Sequence, residues 1–337
     1  MNKTQCAKSG LSSAWRKIFK RGGLLLRSSA RAVVCLRLSH IGFWCVALMG
    51  LQLVFARADQ GGIRGADYFP NVKLTTQDGR TVRFFDDVIR GKVVLINFIY
   101  TSCGSSCPLE TARIRKVREL LGNRVGKDIH FYSITIDPQN DTVETLKAYH
   151  SRFRAGDGWT FLTGQREDIL QIQKKLGLLS REQEAGNLQE HDLNLIVGNQ
   201  ATGQWIRRSH LENTKLLAGL LEGLQIGPST TQYLADYRKA RTRLEPPSRG
   251  EQLYYSRCVD CHSLGGGDGL GPDLAGVVNR RPREWLRRWI LEPDKMLEGR
   301  DPSLLALKAR FNEVLMPNLK LSEADVSALI DFLGRAK

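Results

Sequence analysis

Acidic residues are absent from the first 58 positions, which hold ten Lys and Arg. Mean hydropathy is only −0.29, too low for a polytopic membrane protein, though not for one with a single anchor. Cysteine is sparse, with seven in 337 residues, and four of the seven sit in two short motifs. Such clustering excludes a disulfide scaffold and points to cofactor chemistry. No second C-x-x-C pair lies near Cys258 and Cys261, so a four-cysteine zinc site is also excluded. What is present is ordinary globular composition, 42% hydrophobic and 25% charged, at a length that suits two domains. The net charge of +15 is unevenly spread: residues 250–337 carry thirteen of each sign, and residues 59–249 are left with +5. The basic excess thus belongs to the acid-free start, which argues against nucleic acid as a partner.

That start resembles no packed domain. Arg16, Lys17, Lys20, Arg21, Arg27, Arg31 and Arg37 precede an uncharged run of 19 residues, Leu38 to Ala56, closed by Ala56-Arg57-Ala58. A positive flank, an apolar run and an A-x-A close are the parts of an export signal. At about 1.5 Å per residue the run also just spans a bilayer. Residues 1–58 are therefore expected to be a signal peptide or a membrane anchor, with everything after Ala58 exported. The acid-free, Arg- and Ser-rich start also fits a mitochondrial presequence. Cys6, Cys35 and Cys45 fall in this segment and read as incidental.

The middle of the chain alternates strand and helix signals. Asn71–Phe85 alternates around Asp78-Gly79, a hairpin turn pair. Val93–Tyr100 is a continuous apolar run, as for a strand buried on both faces. Ile114, Val117 and Leu121 recur at helical spacing, and Gly122-Asn123 stops that helix. Phe131–Ile136 predicts a second buried strand, followed by a helix that Asp141 caps, with Glu144 completing a capping-box-like pair. Ile169, Ile172 and Leu176 outline another helix, Leu193–Val197 and Gln204–Arg207 two strands, and Leu216 to Leu224 a closing helix. Such alternation implies an α/β sheet covered on both faces.

At one strand-to-helix turn, Thr101-Ser102-Cys103-Gly104-Ser105-Ser106-Cys107-Pro108, two thiols stand four residues apart. On a helix that spacing places both on one side. A helix N-terminus also favours thiolate. Two convergent thiolates suit a soft ion such as Cu(I), and they can equally close a disulfide or be a structural pair.

With these residues in view, the stretch from about Tyr68 to Leu224 resembles the Sco/SenC family of exported copper-binding proteins. The matching segments are TSCGSSCP, SITIDPQNDTVETLKAY (Ser133–Tyr149) and EHDLNLIV (Glu190–Val197). The resemblance implies a thioredoxin-like fold and a copper site of Cys103, Cys107 and the distant His191, with Asp137 nearby. His130, His150 and His210 are the competing histidines. Many relatives have proline after the first cysteine, where this chain has Gly104; the departure removes no ligand.

Residues 225–249 lose the apolar period and end in Pro246-Pro247, which reads as a linker, partly helical around Tyr233–Arg243. Ser248 and Glu251 then form a capping box. Cys258-Val259-Asp260-Cys261-His262 follows, the attachment pattern of c-type haem. Two thiols must reach two vinyl groups of one porphyrin while the adjacent imidazole reaches its iron. Residues 250–337 resemble a small class I cytochrome c. In that resemblance GPDL (Gly271–Leu274) is the loop whose Pro272 carbonyl orients His262. Trp285, Leu286, Trp289 and Ile290 stripe a helix begun at Pro282, and Ser322 caps a last helix. Met316, 54 residues after His262, fits the second axial ligand, with Met296 the alternative.

The expected architecture is an N-terminal signal or anchor helix (1–58), an α/β thioredoxin-like domain (59–224), a linker (225–249) and a small all-α cytochrome c domain (250–337). A haem with both axial positions filled by protein has no place for substrate and passes one electron at a time, as does Cu(II)/Cu(I). The leading expectation is a copper metallochaperone on the periplasmic side of a bacterial inner membrane, holding copper and haem c. The resemblance implies delivery to the binuclear copper centre of cytochrome c oxidase, with other copper carriers or redox proteins as further partners. The rival expectations are a thiol–disulfide oxidoreductase using Cys103 and Cys107 as a redox pair, and a copper or redox sensor.

Overall fold

A computed structural model describes residues 65–226 and 247–336. The expected signal or anchor segment and most of the linker, with its Tyr233–Arg243 helix, lie outside the described residues. Among the described residues no helix is long and apolar enough to cross a membrane. All of them fall in one compact unit, Gly61–Lys337.

A hairpin of β1 (Lys73–Thr76) and β2 (Thr81–Arg83) turns at Asp78-Gly79, where Gly79 takes φ +77°. Next come β3 (Val93–Ile99), α1 (Ser106–Leu121), β4 (Ile129–Thr135), α2 (Val143–Arg152), β5 (Trp159–Gly164) and α3 (Arg166–Leu176). The domain closes with β6 (Asn194–Asn199), β7 (Gln204–Ser209) and α4 (Thr214–Ile226). The sheet order is β2-β1-β5-β4-β3-β6-β7, with β3, β4 and β5 parallel and the outer pairs antiparallel. β3 lies in the interior of the sheet beside the central β4, and every residue in it is buried. Its run, apolar except for Asn97, serves two faces. Val93, Leu95 and Ile99 join a core with α1, α2 and α4, while Val94, Ile96 and Phe98 join a second core with α3 and the turn Phe84–Ile89. An interior strand covered by helices on both faces favours apolar residues, and its one polar side chain, Asn97, is buried and accepts from the Ser133 hydroxyl at 2.7 Å. This is the expected thioredoxin-like α/β layering.

One local expectation is corrected. α2 is capped by Thr142, whose hydroxyl accepts from the Thr145 N–H, and not by Asp141. The Asp141 carboxylate is buried and committed elsewhere, so the next hydroxyl takes the cap.

Downstream, α5 (Arg249–Leu253), α6 (Arg283–Leu291) and α8 (Glu323–Arg335) enclose the third core, to which α7 (Pro302–Arg310) contributes no residue. Ser248 caps α5 through the Glu251 N–H, and Ser322 caps α8 through the Asp325 N–H. The two helices cross closely at Gly250: a Cβ there would lie 2.0 Å from the Ala328 carbonyl oxygen. Only glycine permits that approach. Leu286, Ile290, Val326, Leu329, Ile330 and Leu333 pack across it. The described residues of this domain are all helix, turn or loop.

Candidate metal and cofactor centres

The first centre forms where β3 ends. Cys103 lies in the turn ahead of α1, and Cys107 lies within its first turn. Helix N-termini leave N–H groups unpaired, and the Cys107 N–H donates to the Cys103 sulfur at 3.4 Å. Ser105 and Ser106 place hydroxyls 3.8 and 3.7 Å from the same sulfur. These donors, with the Cys107 thiol first among them, hold Cys103 down to about 4. Cys107 moves the opposite way: sharing that bond with Cys103 and fully buried, it stays protonated far above the ordinary thiol range. The pair therefore carries one thiolate and one thiol. Both are free cysteines.

Asp141 fixes the turn from below. It accepts from the Thr101 N–H at 3.1 Å, and from the Thr101 and Thr135 hydroxyls. It thereby ties the approach to Cys103 to the end of β4. Burial raises its proton affinity even against those bonds. Asp137, named beside the resemblance, bonds Asn140 and closes the loop leading to Asp141.

His191 stands between a short 3-10 turn and β6, 6% exposed. Its Nδ1 donates to the Leu188 carbonyl at 2.8 Å, because a carbonyl can only accept. That assigns the lone pair to Nε2, which is buried and has no hydrogen-bond partner. Burial lowers its proton affinity, so the ring is neutral. The Tyr100 ring packs edge-on against it with centroids 5.6 Å apart, and the Tyr100 hydroxyl is burdened by burial and by the Cys103 charge. His191 itself feels the Cys103 charge. The structure thus brings Cys103 and Cys107 together and sets His191 beside them across Tyr100. Among the described residues no three His, Cys, Asp or Glu side chains converge tightly enough to hold a metal ion. The competing histidines are otherwise engaged: His150 with the Gly156 carbonyl at 3.2 Å, and His130 stacked on Tyr132. His210, expected in a polar loop, is partly buried and pushed down to about 4 by burial and the neighbouring Arg113 and Arg257.

Glu110 is a residue that sequence reasoning missed. One turn into α1 from Cys107, it is 1% exposed, and neither carboxyl oxygen has a partner. Burial drives it to the neutral acid beside Asn97. A glutamate within an otherwise apolar helical face was its only sequence signal.

The second centre is a cavity of about 570 Å³ in the helical domain. Cys258, Cys261, His262, Pro272 and Met316 all line it. Met296 is buried on the short helix Pro293–Glu298 and is not among the lining residues. Here His262 repeats the arrangement of His191: Nδ1 donates to the Pro272 carbonyl at 2.8 Å, leaving the Nε2 lone pair free. Gly271 permits that seat, since a Cβ there would lie 2.5 Å from His262 Cε1. Cys258 and Cys261 are raised to about 12 by burial, so both are neutral thiols. Two neutral thiols, an imidazole with a bare nitrogen and a thioether around one apolar cavity fit a covalently held haem.

Fold and centres define a class: a thiol-bearing thioredoxin-like domain joined to a c-type cytochrome domain. More particularly, residues 62–215 match the SCO1/SenC family model and residues 247–337 the cytochrome c model. The chain carries a SCO1/SenC domain followed by a cytochrome c domain. A Stutzerimonas stutzeri protein named for copper binding is 30% identical over 109 residues, 32% of this chain and 52% of its own. The SCO1 homologue of Bacillus subtilis is 31% identical over 96 residues, 28% of this chain and 48% of its own. This chain spans about half the length of the curated relatives it matches. A solved SCO1/SenC family lipoprotein from Bacillus anthracis is 26% identical, with 47% of this chain and 94% of that chain covered, at a TM-score of 0.41.

Proposed function

We propose that this protein is an exported copper metallochaperone with a built-in c-type haem, acting on the periplasmic side of a bacterial inner membrane. Copper is its cargo, taken by Cys103, Cys107 and His191. The observation that carries this reading is the bare, buried Nε2 of His191, whose ring packs on Tyr100 and feels the charge of the Cys103 thiolate. A buried nitrogen lone pair without a donor costs about 1–3 kcal/mol, and a soft cation is the partner that thiolate and imidazole share. The Leu188 carbonyl keeps that nitrogen deprotonated and aimed. Cys258 and Cys261 would hold haem c covalently, and His262 and Met316 would bind its iron. A haem bound so supplies a one-electron couple with no open site. The proposed recipient is the copper-bearing subunit of cytochrome c oxidase.

Titrating Cu(I) into the His191→Ala variant tests the ligand set. Affinity should fall by at least tenfold, and unchanged affinity refutes it. Mixing haem-reduced protein with Cu(II) in stopped flow tests the haem's role: its oxidation should track Cu(II) reduction.

The split between the two thiols favours a second reading, reduction of disulfides in a partner. A low-pKa attacking thiolate with a protected resolving thiol suits exchange. This reading needs no His191. Full thiol-exchange activity with unchanged copper affinity in His191→Ala would favour it.

A further inference from the structure

The helix that carries Cys107 also reaches the second centre. Leu109, 4% exposed, lines the same cavity as Cys258, Cys261 and His262. It lies two residues after Cys107. From the other side, Leu270 of the cytochrome domain is a full member of the first domain's core, and Cys261 and Val314 pack against that core. One turn beyond Leu109, on the same face, Arg113 is almost completely buried. Its Nη1 donates to the Ser256 carbonyl at 2.7 Å and stands 3.5 Å from Asp260 Oδ2, inside the C-x-x-C-H motif. Its Nη2 donates to the Leu211 and Glu212 carbonyls at 3.3 and 3.1 Å. A third tie comes from Asn312, which donates to the Ser151 and Arg152 carbonyls.

We propose that α1 is a wall of the haem pocket, with Leu109 facing the cavity and Arg113 clamping α1 to the Cys258–His262 loop. The inference rests on the reading of that cavity as a haem site. Both ends of the Arg113–Asp260 pair are buried, their side chains 7% and 3% exposed. Removing two charges from water is costly and is repaid only in fixed geometry. Asp260 Oδ2 accepts no hydrogen bond and has the Arg113 charge as its compensation, while the Arg113 hydrogen bond to the Ser256 carbonyl at 2.7 Å fixes the seat. The thiol site and the haem pocket therefore share one rigid helix.

The test uses full-length holoprotein matured with haem. Leu109→Asn puts a polar group in the wall. It should lower the haem midpoint potential, because polarity favours the ferric, more positive state, and alter the Soret circular dichroism. Leu109→Ala, which folds more readily, should change the same signals less. Arg113→Met should lower the potential by opening the seam to water. The double variant Arg113→Met/Asp260→Leu should lose less than Arg113→Met alone, since no buried charge is left unpaired. Leu120→Ser, at an exposed position about two turns further along α1, should leave haem signals at wild-type values. Attached haem with Leu109 and Arg113 variants indistinguishable from Leu120→Ser overturns the shared wall while leaving the haem reading intact. Wild-type protein without haem, from a host that matures c-type cytochromes, overturns both.

Discussion

Two cysteine pairs in one chain meet opposite fates. Cys103 and Cys107 sit at a helix mouth, where N–H and hydroxyl donors converge on one sulfur and hold it as thiolate. Cys258 and Cys261 sit against an apolar cavity, where burial keeps both neutral. A one-residue difference in spacing does not cause this; the surrounding donors do. The lesson is that thiolate suits an exchangeable soft ion, while a neutral thiol suits conversion to a thioether, which carries no charge into an apolar pocket. The histidines run in parallel rather than in contrast. His191 and His262 each give Nδ1–H to a carbonyl at 2.8 Å and keep Nε2 bare.

The largest effects should come from exchanging the pairs' roles. Cys258→Ser with Cys261→Ser should abolish covalent haem, read by acid–acetone extraction, yet leave Cu(I) binding. Cys103→Ser should abolish tight Cu(I) binding and leave haem attached. If either change removes both cofactors, the centres are not chemically separate.

Acidity should separate Cys103 from an ordinary thiol by orders of magnitude. Its folded pKa is depressed to about 4, so the thiolate persists as pH falls and is lost only as pH passes through that value. In reduced, copper-free holoprotein its alkylation rate should stay nearly flat from neutral pH toward that value. An ordinary thiol loses about tenfold per pH unit over the same range. A tenfold-per-unit decline would remove the contrast between the pairs.

Smaller effects come from packing. Gly271→Ala forces the His262 ring aside and Gly250→Ala forces α5 from α8, with backbone as the obstacle at Gly250. Each should cost about 1–3 kcal/mol in thermal or denaturant unfolding. Only Gly271→Ala should also disturb the haem spectrum. Asp141→Ala removes the acceptor of the Thr101 N–H and of the Thr101 and Thr135 hydroxyls at the first centre and should cost about 1–3 kcal/mol, with weakened Cu(I) affinity and an unchanged haem spectrum. Thr142→Ala removes only the α2 cap. It should cost about 1 kcal/mol and affect neither centre.

Much of the scaffold was legible because its signals are local. The near-continuous apolar run at Val93–Ile99, the turn at Asp78-Gly79 and the caps at Ser248 and Ser322 each depend on a few neighbouring residues. The Asp141 expectation failed for the same reason. Capping was judged within its own loop, while Asp141 is drawn to Thr101, 40 positions away. Leu109 and Arg113 looked like ordinary helix residues, because Ser256 and Asp260 lie more than 140 positions downstream.

Residue order by itself determined the two thiol motifs, the alternation of strands and helices and the adjacency of His262 to Cys261, since covalent spacing and short-range periodicity carry all three. Only the tertiary structure decided which sulfur is a thiolate, that His191 packs on Tyr100 with a bare nitrogen, and that Leu109 borders the second cavity. Charge state and contact depend on which groups the fold gathers and how completely it excludes water, and neither can be read along the chain.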